Sequence, residues 1–152
     1  MAAEPVTLDA QRQQSGADLL RMTDDFGFGA LGAAWIHDEE ASRWWYLLVS
    51  PMIDSKGPRW VYERLVQIFR KLALPPGITP LDIRIASPHE QSWQIIASTV
   101  HVEDSAVFPL KLVINGIQID KIFAYRVRPA DNRAGERTRV FESRYRQLMA
   151  AA

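Results

Sequence analysis

The stretch from Asp24 to Gly32, DDFGFGALG, sets Gly27, Gly29 and Gly32 in the G-x-G-x-x-G spacing, and overlaps the triplet Asp25-Phe26-Gly27. Glycines at this spacing can let backbone N–H groups approach a phosphate, but only when a strand precedes them and a helix follows, because the helix N-terminus binds the anion. Here the order is inverted: a helix is expected before the glycines and a strand after them. Asp24 and Asp25 would also repel a phosphate where it should bind. A kinase reading fails separately, since the chain has no H-R-D and is too short for that fold. The stretch is read as the entry to a strand, with Gly32 leaving room for a bulky neighbour.

Each of the three histidines has an acid nearby: His37 with Asp38, His89 with Glu90, His101 with Glu103. Only His101 and Glu103 would share a face, and only if their segment is a strand. No HExxH or comparable spacing enforces a metal site, and there is no cysteine to supply a thiolate ligand or nucleophile. No G-x-S-x-G elbow or S-x-x-K is present. The reading therefore assigns no catalytic residue, no metal and no cofactor. A small-molecule enzyme with a pocket near His37 or His101 stays as an alternative.

Charge gives a third candidate. The chain has 18 basic and 18 acidic residues, yet positions 121 to 152 carry eight bases against three acids. Arg137, Arg139, Arg144 and Arg146 could contact phosphates if the C-terminal helix bound nucleic acid. Against this, Glu136 and Glu142 share that helix, and the arginines circle its axis.

These side chains need a scaffold. The length of 152 residues, 47% of them hydrophobic and 24% charged, fits one domain with its own core. The reading gives a flexible lead over 1–14 and a single α+β domain over 15–152. No stretch has the length and apolarity of a membrane span or the pattern of a signal peptide, so a soluble cytoplasmic protein is expected.

Ser15 and Asp18 suggest a capped helix start. The segment LGAAWIHDEEASRWWYLLVS reads as a β-hairpin with His37 opposite Arg43, a register in which Trp35 and Trp45 share a face. A one-residue slip would exchange the partners. Gly57-Pro58 starts the clearest helix, with Val61, Leu65, Ile68 and Leu72 in one stripe. LDIRIA alternates as a strand. Residues 88–97 read as a short helix, with a strand beginning near Ser98. Asn115-Gly116 favours a type I′ turn, which predicts a second hairpin with Lys111 opposite Asp120 and Val113 opposite Gln118. Its apolar face holds Leu110, Leu112, Ile114, Ile117 and Ile119. A final helix carries Phe141, Tyr145 and Leu148. The fold class is thus α+β: a mainly antiparallel sheet of two β-hairpins plus one or two further strands, with helices packed on one face.

Adjacent Trp44 and Trp45 on a strand must point to opposite faces, so the first hairpin is apolar on both. A large aromatic ring buries on the order of 150–250 Å², an upper bound of roughly 4–6 kcal/mol at about 25 cal/mol per Å². Leaving Trp44 and Tyr46 in water would be unusual for a monomer. The C-terminal helix, a second copy, a partner or an apolar ligand could cover them. The sequence is therefore read as an accessory or protein-interaction domain, forming a homodimer or binding a protein partner through Trp44, Tyr46 and Trp60.

Overall fold

The computed structural model describes residues 7–102 and 106–151. In chain order the elements are α1 (Ala10–Asp25), β1 (Gly32–Asp38), β2 (Arg43–Val49), α2 (Met52–Lys56), α3 (Pro58–Lys71), β3 (Ile83–Ala86), α4 (Gln91–Thr99), β4 (Phe108–Ile114), β5 (Ile117–Val127) and α5 (Ala134–Ala150). The class is α+β. The sheet is mixed, in the order β3-β2-β1-β5-β4, because β2 and β3 pair in parallel. A parallel pair needs a long crossover, and α2 and α3 form it.

Helix α3 follows its sequence pattern closely. Gly57 takes φ +86°, and Pro58 stands at the first helical position, where its missing N–H costs nothing. Val61, Leu65 and Ile68 are buried, whereas Leu72 falls at the C-cap and is 36% exposed. Helix α1 starts earlier than Ser15. Asp9 is its cap, accepting the Arg12 N–H at 2.8 Å, so residues 10–14 are helical.

The β1–β2 register is one residue away from expectation: His37 faces Trp44, Asp38 faces Arg43, and Trp35 faces Tyr46. Asp38 sets this slip. Its Oδ1 accepts the N–H groups of Glu40 and Ala41, and its Oδ2 accepts the Trp45 indole N–H, which tightens the connection. Trp35 therefore shares a face with Trp44 and Tyr46 instead of Trp45.

Between β4 and β5, Ile114 faces Ile117 across Asn115 (φ +52°) and Gly116 (φ +76°), and Val113 faces Gln118 as expected. Lys111 does not face Asp120. An irregularity between Pro109 and Leu112 shifts the register, and Lys111 instead lies 3.7 Å from Glu39. Among the described residues no strand starts near Ser98, since Ser98 and Thr99 belong to α4. The docking of Trp93 and Ile96, both fully buried, outweighs the β-branched local preference. Leu81, read as part of the alternating strand LDIRIA, lies instead in the turn before β3 and is 79% exposed.

Helices cover both faces of the sheet, which corrects the one-face expectation. On the first face Ala33, Trp35, Trp44, Tyr46 and Leu48 pack with Leu19 of α1, Leu65 of α3 and Phe141 of α5. On the second, Ala34, Ile36, Leu47, Val49 and Ile122 pack with Trp93 and Ile96 of α4.

Candidate functional site

Burial separates the aromatic candidates. Trp44 is 5% exposed and Tyr46 fully buried. The Tyr46 hydroxyl donates to the Gly16 carbonyl at 2.8 Å, and its ring meets Trp35 edge-on at 5.2 Å. The face that the sequence left open is filled by α1, α3 and α5, so both residues lie in the core. Trp60 differs. It is half-buried near the start of α3, with Phe141 of α5 at 6.0 Å beneath it.

Trp60 lines an open groove of about 590 Å³ between α2, α3 and α5, together with Lys56, Arg64, Arg139, Glu142 and Arg146. Each helix presents its residues by simple spacing. Trp60 and Arg64 lie one turn apart on α3, as Glu142 and Arg146 do on α5. The Arg64 guanidinium stacks on the Trp60 ring at 3.9 Å, and its Nε and Nη2 donate to Glu142 at 2.6 and 3.3 Å. Arg146 donates to the same carboxylate at 3.1 Å. The Arg64 hydrogen bond, seconded by Arg146, holds the Glu142 carboxyl below its ordinary range despite its partial burial. Lys56 and Arg139 are exposed on the rim.

The four tail arginines do not act as a unit. Arg137 forms a two-pronged pair with Asp131 at 2.5 and 2.6 Å, and Arg144 donates to the Asp25 carbonyl at 3.0 Å. Arg139 and Arg146 alone reach the Trp60 groove. Sequence reasoning named Trp60, Arg139 and Arg146 for two different functions and missed Lys56, Arg64 and Glu142. The one-turn spacings were visible, but the contact between helices 78 positions apart was not.

On the other side of α5, a groove of about 580 Å³ has Met22, Phe26 and Leu148 in its lining, with acids Asp18 and Asp25 and bases Arg21 and Arg144. The signs balance there.

The histidines do not converge. His37 is 3% exposed, its Nδ1 lies 2.6 Å from Asp120 Oδ1, and its ring meets Trp44 at 5.1 Å. Burial pushes the Asp120 carboxyl up, but the hydrogen bonds from His37 and Lys121 outweigh it and leave the carboxyl below its ordinary range. His89 and His101 are exposed, and Glu103 lies outside the described residues. Among the described residues, no three His, Cys, Asp or Glu side chains gather where they could hold a metal ion.

The glycine stretch delivers two rings to the core. Gly27 (φ +81°) and Gly29 (φ +57°) bracket Phe28, and Phe26 and Phe28 pack on Phe141 at 6.0 and 5.3 Å. The N–H groups of Gly27 and Phe28 are taken by the carbonyls of Asp24 and Thr23, and Asp24 is paired with Arg126. These donors are not turned toward a phosphate.

No protein-family model, curated protein or solved structure matches this chain.

Proposed function

We propose that the chain is a protein-interaction domain whose contact surface is the groove around Trp60. One observation carries this reading: a half-buried indole and two exposed basic side chains, Lys56 and Arg139, line one open groove, while the other aromatic candidates lie inside the core. Aromatic and arginine side chains dominate binding energy at protein interfaces because they combine apolar area with directed donors.

A nucleic-acid role is less well supported. Arg137 and Arg144 are engaged within the chain, the indole face that would stack on a base already carries Arg64, and the net charge is zero. A phosphate track needs several free cations in line. An enzyme built on His37 would require an accessible ring, and that ring is enclosed between Asp120 and Trp44.

The test is a photo-crosslinking amino acid at position 139, with position 81 as an exposed control away from the groove. The reading expects one specific protein crosslinked from 139 and not from 81. Equal labelling from both positions would count against it.

A further inference from the structure

We infer that the Trp60 groove selects an acidic segment of its protein partner, with Glu142 holding the place of an incoming carboxylate. The inference rests on the interaction reading above and adds the chemistry of the partner.

Charge complementarity points to that partner. Four bases line the groove, Lys56, Arg64, Arg139 and Arg146, against one acid, Glu142. That acid accepts three hydrogen bonds, two from Arg64 and one from Arg146, so the groove already displays how it receives a carboxylate. Arg64 is held in position from two sides, with its guanidinium stacked on Trp60 at 3.9 Å and lying 5.2 Å from the Tyr145 ring. A planar guanidinium held in place loses little freedom when it pairs with a carboxylate. Lys56 and Arg139 are exposed and have no carboxylate of this chain against them among the described residues. The groove of similar volume across α5 carries equal numbers of acids and bases and shows no such preference. An acidic segment would place one side chain against Lys56 and Arg139. A second would compete with Glu142 for Arg64 and Arg146.

Two opposite effects follow from this arrangement. Removing the rim cations weakens binding, and removing the internal competitor strengthens it. The experiment measures anisotropy of a fluorescein-labelled peptide of Glu-Glu-Leu repeats, its Gln-Gln-Leu counterpart and an oligo-dT of similar length. The full chain is used as wild type, as Lys56→Ala with Arg139→Ala, and as Glu142→Gln. The acidic peptide is expected to bind best, to weaken by roughly tenfold in the double variant and with added salt, and to tighten severalfold in Glu142→Gln. Because Lys56 and Arg139 are exposed, the double variant stays interpretable even if Glu142→Gln loosens the α3–α5 contact. Equal binding of the Glu and Gln peptides, or no binding of the acidic one, overturns the inference. So does indifference to the double variant. Tighter binding of oligo-dT overturns it in favour of a nucleic acid. A non-acidic segment crosslinked specifically from position 139 would leave the interaction reading standing and remove this inference alone.

Discussion

The Trp93 ring of α4 occupies the space where a β-carbon on Gly32 would stand. Gly32 is the first residue of β1, and the six-membered ring of the indole is what such a β-carbon would meet, while its Nε1 donates to the Arg128 carbonyl at 2.9 Å. One absent methyl group thus lets α4 close over the second face of the sheet.

Replacing Gly32 with Ala should cost about 1–3 kcal/mol, because neither the strand backbone nor a fully buried indole can retreat without strain. Gly135 is the control. It sits in the first turn of α5 with nothing within 4 Å of an added Cβ and no positive φ, so Gly135→Ala should be neutral or stabilising by up to about 1 kcal/mol. Urea unfolding of both variants measures the difference. Equal stabilities would contradict the packing role of Gly32.

Asp120 supports a buried histidine. Asp120→Ala would leave the His37 Nδ1 without its carboxylate in a site that is 3% exposed, and should destabilise by about 1–3 kcal/mol. His37→Ala adds a gap against Trp44, so the double variant should lose less than the two single losses combined. A double-mutant cycle by thermal or urea unfolding measures that coupling. Full additivity would contradict the pair.

The helix and the two-residue turn were legible because one local pattern decides each. The Val61, Leu65 and Ile68 stripe specifies a face, and Asn115-Gly116 supplies the positive φ values that its turn requires. The β1–β2 register was not legible: both faces are apolar, so alternation could not choose between registers, and the Asp38 side chain decided it. Residues near Ser98 follow a packing contact made by Trp93, not their own β-branched preference. The groove was half visible. Trp60 and Arg139 stood out by type, but their proximity depends on α5 crossing α3, which neither segment encodes alone.

Acid should weaken the fold through paired carboxylates. The Arg137 hydrogen bonds hold the Asp131 carboxyl at about 2, below its ordinary 3.8, and Glu142 is likewise lowered by Arg64. A depressed folded-state pKa contributes stability above the unfolded value, and that contribution is lost as pH falls through the folded value. Thermal midpoints should therefore drop as pH falls from about 4 toward 2. The Asp131→Asn variant should start lower and fall less steeply over that window. Parallel wild-type and variant curves would show that the Asp131–Arg137 pair does not contribute.

The central claim is that the chain works through the Trp60 groove. Its most direct measurement is calorimetric titration of the partner segment crosslinked from position 139, made as a synthetic peptide, into wild type and into Lys56→Ala with Arg139→Ala. The double variant should keep the wild-type thermal midpoint and bind roughly tenfold more weakly. Unchanged affinity in a folded double variant would contradict the claim.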